Sequence, residues 1–275
     1  MTKLSIITIN LNNAEGLRKT IESVINQTFT DFEYIIIDGG STDESVDIIR
    51  QFADRITYWI SEPDTGIYNA MNKGIKKAEG EYLQFLNSGD WLYSESILKE
   101  VFALNRTEDI LYGNDALFYN EQHITFKTYP TKLTGFLLYT GTISHQATFH
   151  KATLFDTLYD EHYKIASDWK FQIEKIIFEN CSTYYLNKTI IYFDMMGISQ
   201  NQVFSELQNN ERTQILSEYF PERILADYQT LQQLKSEQST KYIGNIKTIM
   251  LHPWLWRLVR RFISIMASFA KVFQA

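Results

Sequence analysis

The sequence has one cysteine, Cys181, in 275 residues. That excludes an internal disulfide and any multi-cysteine metal site, and it suits a reducing cytoplasm. Cys181 follows Glu179-Asn180 with no nucleophile pattern around it and reads as an inert thiol. No His/Cys cluster has zinc spacing, and no Ser-His-Asp arrangement can be argued. Glycine is missing where two phosphate-binding loops need it. There is no GxGxxG after the first strand and no GxxxxGK followed by Ser or Thr, so a Rossmann dinucleotide fingerprint and a P-loop are both excluded. Ile249 to Phe273 is not a membrane span, because Arg257, Arg260 and Arg261 interrupt it. Met1-Thr2-Lys3 runs straight into a strand and is no signal peptide. Internal repeats and low-complexity segments are absent. Acidic residues stop at Glu237, beyond which lie Lys241, Lys247, Arg257, Arg260, Arg261 and Lys271. Taking those six from 26 basic residues leaves 20 against 33 acidic ones, a body of net charge −13 within a chain of −7. Such a body argues against general nucleic-acid binding.

An apolar content of 44% supports a sizeable core, and the length allows one large domain or one domain with an appendage. Tyrosine and phenylalanine are abundant, at 17 and 18. Many must be core, while others can stack on ligand rings. Short apolar runs at Leu4–Ile9, Tyr34–Ile37, Ile56–Ile60 and Tyr82–Leu86 read as strands. Helices are expected at 14–27 (Leu17, Ile21, Val24 and Ile25 on one stripe), after Asp43 (Val46, Ile49, Phe52 inward, with Ser41 or Thr42 as cap) and over about Ile67–Ala78. Continuous apolar strands alternating with helices indicate a parallel sheet covered on both faces. Right-handed crossovers then place Asn10, Asp38, Asp64 and Asp90 at one sheet edge, where open α/β sheets bind ligands. One such acid is ordinarily a turn or cap residue; three with an Asn form a candidate site. Asp90, in Asn87-Ser88-Gly89-Asp90, is the natural ligand for Mg2+ or Mn2+ if a phosphorylated ligand lies opposite.

Further on, Ile110–Tyr112 reads as a strand and 116–129 as a hairpin or irregular pair. Residues 134–142 read as a mobile loop over the site, and Ser144–Phe149 as a short stretch apolar at alternate positions. A helix is expected at Ser167–Glu179, a strand at Thr189–Phe193, and helix from about Phe204 to Ser239.

Four segments together resemble family 2 glycosyltransferases: Ser5-Ile6-Ile7-Thr8-Ile9-Asn10, Ile37 through Asp43, Glu62 through Gly74, and Leu86-Asn87-Ser88-Gly89-Asp90. Their order and spacing match over about residues 3–100, and 140–200 match more loosely. The resemblance implies an α/β chain with the GT-A (nucleotide-diphospho-sugar transferase) fold. Such a chain has a mostly parallel central sheet with helices on both faces, occupying residues 1–200. Its nucleotide-binding half is about 1–105 and its acceptor half about 106–200, with a helical extension at 201–275. It implies an inverting hexosyl- or N-acetylhexosaminyl-transferase using a nucleotide sugar, UDP-linked by the family pattern, in bacterial surface polysaccharide synthesis.

Carried over, Thr8 and Asn10 lie under the nucleotide and Asp38 binds the uracil ring. Asp64, Asn69 and Lys73 belong to the segment holding base, ribose and diphosphate. Asp90 matches the last acid of the DxD motif and binds the metal. The motif reads Ser88-Gly89-Asp90, so the first acid is missing, and Ser88 is left to reach the ribose or a metal-bound water. The divalent cation stabilises charge on the leaving diphosphate. An acceptor hydroxyl needs a general base, and Asp168 in Ala166-Ser167-Asp168-Trp169 fits the family position; it also fits an ordinary helix-N-terminal acid. His145 and Gln146 match a His-Gln pair of bacterial relatives. His145 lies near diphosphate or acceptor, or is a satisfied turn histidine. Trp91 and Trp169 line the donor-sugar or acceptor pocket, or belong to the core. Glu62 and Asp43 read as cap or loop residues.

Over about 247–273, Leu251, Leu255, Leu258, Phe262, Ile265, Phe269 and Phe273 share a helical face opposite Arg257, Arg260, Arg261, Ser264, Ser268 and Lys271. With Trp254 and Trp256 at its start, this reads as an interfacial helix on the anionic inner face of the cell membrane. The other reading is a helix docked on the body or in a homo-oligomer. Two other functions compete: a sugar nucleotidyltransferase, which needs a Gly-rich basic loop that Asn10-Leu11-Asn12-Asn13-Ala14 does not provide, and a non-catalytic nucleotide-sugar scaffold, suggested by the incomplete DxD.

Overall fold

The N-terminal apolar run forms β1 (Leu4–Asn10), buried along almost its whole length. In the computed structural model, which describes residues 2–195, 202–238 and 241–272, this strand is central to a parallel sheet. Helix α1 (Ala14–Ile25) follows, its first turn closed by the Asn13 side chain, which accepts from Gly16 N at 3.1 Å. It buries Leu17, Thr20, Ile21 and Val24, the stripe expected from their spacing. Then come β2 (Phe32–Asp38), α2 (Ser45–Gln51), β3 (Tyr58–Ser61), α3 (Ile67–Ile75) and β4 (Tyr82–Phe85). Strands β2 and β4 flank β1, and β3 flanks β2, all parallel. The register pairs Asn10 with Asp38 and Asp38 with Ser61, so three polar residues stand in one row at the carboxyl edge. Helix α3 lies against β1 so closely at Gly74 that a Cβ there would overlap Ile7 Cγ2.

The second half joins the sheet differently. Its elements are β5 (Trp91–Leu92), α4 (Ile97–Phe102), β6 (Ile110–Asn120), β7 (His123–Lys127), α5 (Gly135–Thr140), β8 (Thr148–Lys151), α6 (Ser167–Gln172, continued by a π-helical turn over Ile173–Phe178) and β9 (Thr183–Asp194). Strand β8 runs antiparallel between β4 and β6, β9 runs parallel to β6, and β5 closes the far edge antiparallel to β9. The order is β3-β2-β1-β4-β8-β6-β9-β5, with β7 hairpinned onto β6.

Five local readings change. Residues 134–142 are not a free loop: Thr134 caps α5, and Leu138 is buried. The apolar stretch from Ser144 becomes strand only at Thr148. The strand read at 189–193 begins at Thr183. The helix read continuously from Phe204 is broken at Pro221, which has no N–H to continue the ladder, into α7 (Gln202–Tyr219) and α8 (Glu222–Gln238). Helices α9 (Lys241–Met250) and α10 (Pro253–Val272) follow, so the single helix read over about 247–273 is interrupted at Leu251-His252, ahead of Pro253, which has no N–H to donate. Ser239 and Phe273, the ends of two stretches read as helical, lie outside the described residues, as do the side chains of Ile265, Phe269 and Lys271. The chain divides into two compact units, Met1–Glu218 and Tyr219–Ala275. No helix among the described residues is long and apolar enough to cross a membrane.

The core of the first unit buries one ionisable residue with direct consequences for stability. His150 on β8 is 1% exposed, packed edge-on against Phe155 and Phe171 and tilted against Phe85. Burial, with the neighbouring His145 adding and Asp168 opposing, pushes it down from 6.5 to about 3. The unfolded chain therefore binds the proton first, and stability falls as pH drops from 6.5 towards 3. Between pH 7 and 5 this residue is expected to cost about 2 kcal/mol. Denaturant melts of wild type and His150→Phe at both pH values check this. The difference isolates His150 from carboxylates titrating in the same range, and an equal acid loss in both proteins would contradict it.

Candidate active site

Asp38 ends β2 with 0% exposure. Its Oδ1 accepts from Asn10 Nδ2 at 2.7 Å and Ser41 Oγ at 2.6 Å; its Oδ2 accepts from Ser41 N at 2.9 Å and Ser61 Oγ at 2.6 Å. Burial opposes ionisation, but the bonds from Ser41, Ser61 and Asn10 outweigh it and hold the carboxyl below its usual range. All four acceptor positions of the carboxylate are filled, so direct contact with a base requires a serine hydroxyl to turn away. Asn10 and Asp38 thus meet at the edge as expected. Thr8 does not reach it: its side chain is buried, 3.0 Å from the Tyr34 hydroxyl.

Beside this row, Lys73 pairs with Asp64 at 2.5 Å and Glu62 at 2.8 Å. Desolvation lowers the lysine, but Asp64 and Glu62 outweigh it and raise the ammonium above its ordinary value. Glu62 is therefore an ion-pair partner and not simply a loop residue. Asn69 donates to Glu161 at 2.9 Å, and Asn72 donates to the other oxygen of the same carboxylate at 3.0 Å. Glu161, which the sequence reading passed over, ties α3 to the segment before α6.

The Asn87–Asp90 turn is held from α1. Gly89 adopts φ +104°, a conformation natural to glycine. Its N–H donates to Thr20 Oγ1 at 3.0 Å, and that hydroxyl donates to Asp90 O at 2.7 Å. The Ser88 carbonyl accepts from Asn13 Nδ2 at 3.0 Å. Asp90 is buried; its Oδ2 accepts from Gln146 Nε2 at 3.1 Å and its Oδ1 from Asp194 N at 2.9 Å. Burial pushes its carboxyl up to about 7, the Asp194 charge adding while the Asp194 N–H, His145 and Gln146 oppose. Asp194 was missed, although it carries the same signal as Asp38: an acid at the carboxyl end of an apolar run.

Asp168, in the first turn of α6, accepts from Tyr68 Oη at 2.7 Å on Oδ1 and lies 2.9 Å from His145 Nδ1 on Oδ2. Burial would raise it, but His145 and Tyr68 outweigh burial and hold it below the usual carboxylate range. Asn87 Nδ2 stands 3.4 Å from His145 Nε2. With the ring proton on Nδ1 facing Asp168, Nε2 is the acceptor for that amide. His145 and Gln146 are adjacent, so one dipeptide touches both acids: His145 holds Asp168 and Gln146 holds Asp90.

The two tryptophans separate. Trp169 is 3% exposed, and its Nε1–H donates to the carbonyls of Leu138 at 2.8 Å and Gly141 at 2.9 Å. It anchors the α5 segment from a buried position. Trp91 stacks on Tyr192 at 4.9 Å, meets Phe118 edge-on, and carries Lys19 Nζ 3.1 Å above its ring. Its faces are occupied by neighbours.

A hard divalent cation fits this chemistry. The carboxylate of Asp90 accepts one hydrogen bond on each oxygen, each oxygen keeps a lone pair beyond that bond, and the buried Asn87 Oδ1 has no hydrogen-bond partner. Among the described residues no three His, Cys, Asp or Glu side chains surround one point. Asp90 would therefore supply a single protein carboxylate to such an ion.

Residues 5–162 match the Glycosyl transferase family 2 pattern. The chain belongs to glycosyltransferase family 2. As a family 2 member it is 32% identical over 207 residues to a PGL/p-HBAD biosynthesis glycosyltransferase of Mycobacterium tuberculosis, covering 72% of this chain and 79% of that protein. It is 27% identical over 229 residues to glycosyltransferase GlyA of Streptococcus pneumoniae, covering 74% of this chain and 32% of the relative. Its fold matches that of S. aureus TarS 1–349 in complex with UDP-GlcNAc, with a TM-score of 0.60 at 20% identity, covering 79% of this chain and 71% of that one. Against TarS 1–349 in another crystal structure, the chain spans 60% of that protein's length. The mannosyltransferase PcManGT from Pyrobaculum calidifontis, in complex with GDP-Man and Mn2+, matches with a TM-score of 0.58 at 13% identity, covering 78% of this chain and 63% of that one. The family 2 chain therefore has the GT-A fold and is a glycosyltransferase.

Proposed function

We propose that this chain transfers a sugar from a UDP-sugar to an acceptor hydroxyl in a single inverting displacement, in the synthesis of a bacterial glycan or lipid-linked oligosaccharide. The observation that carries the reading is the His145-Gln146 dipeptide, which ties an ionised Asp168 to the Asp90 turn. Asp168 takes the acceptor proton as the acceptor oxygen bonds to C1. The C1–O bond to the diphosphate breaks, and its electron pair leaves with UDP. Tyr68 and His145 keep Asp168 ionised and oriented for that proton. The row Asn10, Asp38, Ser41 and Ser61 faces the uracil, and Lys73 with Asp64 and Asn69 borders ribose and diphosphate. Ser88 lies within the same turn as Asp90. A divalent cation, Mn2+ or Mg2+, held by Asp90 would supply Lewis-acid stabilisation of the leaving diphosphate. Calorimetric titration with UDP, GDP, CMP and dTDP, with and without Mn2+, tests the donor class. UDP binding strengthened by the metal is expected; binding of another nucleotide would reassign the donor, and no binding would favour a scaffold.

We further propose that the second unit binds an anionic membrane surface on the cytoplasmic side. On α10, Trp254, Leu258 and Phe262 recur at helical spacing, with Trp254 61% and Phe262 64% exposed, while Arg257, Arg260 and Arg261 are exposed beside them. Apolar burial at the headgroup boundary and attraction to anionic lipid act together on such a helix. The full chain is expected to sediment with phosphatidylglycerol vesicles and not with phosphatidylcholine vesicles. Trp254→Ser together with Phe262→Ser should abolish this; sedimentation unchanged by the double substitution would rule it out and favour a protein-docked helix.

A further inference from the structure

We propose that Glu211 on α7 is a positioning residue for Asp168, an inference that rests on the general-base reading of Asp168. Its carboxylate is 8% exposed and takes three successive backbone donors: Lys164 N at 2.7 Å on Oε1, and Ile165 N and Ala166 N, each at 3.0 Å, on Oε2. These three amides immediately precede α6. That helix has no cap of its own, because its N-cap residue is Ala166 and the buried Ser167 Oγ finds no partner. The first-turn donors of a helix need an acceptor. Here the segment leading into α6 receives it from a residue 45 positions away. The next residue on α7 holds the other side of Asp168. Arg212 Nη2 donates to Gly141 O at 2.8 Å, and its guanidinium lies 4.2 Å over the ring of Trp169, which shares that carbonyl. Asp168 thus sits between two points fastened to α7, one through the backbone before it and one through the side chain after it.

A general base must lie within hydrogen-bond reach of its proton, and a displacement of about 1 Å can cost on the order of 10²-fold in rate. Glu211→Gln keeps the size but presents an amide NH2 to at least one of the three N–H groups. In this variant the imidazole 15N signal of His145, which reports the Asp168 contact, is expected to move towards its position in Asp168→Asn. UDP release from UDP-N-acetylglucosamine with water as acceptor should fall tenfold or more, on the order allowed by such a displacement, with KM within about twofold. Glu218→Ala loses the 3.2 Å contact to Tyr163 from the same helix but touches none of the three amides, and is expected to keep both readings. An unmoved His145 signal in folded Glu211→Gln would overturn the proposal, as would equal changes in Glu218→Ala. If Asp168→Asn itself retains turnover, the base assignment has failed, a result separate from a normal Asp168→Asn loss with Glu211→Gln unaffected.

Discussion

Replacing Asp168 by Asn is expected to lower sugar transfer by on the order of 10³-fold while leaving UDP affinity within about twofold. An amide cannot take the acceptor proton, yet the variant has a route to a folded site. Asn Oδ1 can still accept from Tyr68, and a tautomer switch lets His145 Nδ1 accept from the new amide. On the proposed roles the loss should appear in kcat, because a general base acts on the proton in flight, and Tyr68 and His145 bond to Asp168 and not to Asn10 or Asp38. Single-turnover rates and UDP calorimetry on the same preparation separate the two. A parallel fall in binding and transfer would mean that Asp168 shapes the donor site, and the base would have to be sought elsewhere. His145→Ala serves as an internal comparison: it removes the Oδ2 partner and leaves the carboxylate, so a smaller loss than that of Asp168→Asn is expected.

Asp90→Asn is expected to abolish the strengthening of UDP binding by Mn2+ and to lower transfer by on the order of 10²- to 10³-fold, the range for removing a group that stabilises developing charge. The same change should make the metal-free protein more stable. Burial holds the Asp90 carboxyl at about 7 against 3.8 for an unperturbed group. The folded state therefore holds the proton more tightly than the unfolded one, and the carboxylate destabilises the fold progressively as pH rises from about 3.8 through 7. At pH 8 this amounts to at most about 4 kcal/mol, since each unit is worth about 1.4 kcal/mol. Melts in chelator at pH 8 and pH 4 check it: Asp90→Asn should gain stability at the first and little at the second. No gain at pH 8 would mean that the hydrogen bonds from Asp194 N and Gln146 already offset the burial of the charge.

Removing stability to keep a buried acid is the expected pattern at a functional site. His150, only a strand's width into the core, shows the other outcome of burial: a neutral ring among phenylalanines with no assigned chemistry. The contrast lies in surroundings. Asp90 is served by polar donors aimed at both oxygens, whereas His150 Nδ1 has no hydrogen-bond partner.

Residues 4–86 were readable from the sequence as four strands and their crossovers, and the acids Asp38, Asp64 and Asp90 as residents of one edge. The reason is local. Apolar runs, turn residues and caps lie within a few positions of one another, and a parallel strand needs only its own run to be recognised. The family 2 match begins in this same region, at residue 5, and runs on to residue 162. The mixed pairing of β5 to β9 was less legible, because antiparallel partners such as β4 and β8 are chosen by tertiary closure and not by either run alone. The helical break at Pro221 was legible in principle, since proline cannot donate to the preceding turn, and was passed over amid the Gln- and Glu-rich composition.

What the sequence determined, then, is the scaffold and the candidate acids at its edge. Only the tertiary structure decided who serves them. Tyr68 meets Asp168 across 100 residues, Asp194 meets Asp90 across 104, and Glu211 reaches Ala166 across 45. It also decided that the Thr8 and Trp169 side chains are buried. A hydrogen bond needs donor and acceptor within about 3 Å at a favourable angle, and side chains so distant in the chain satisfy that only after the sheet has closed.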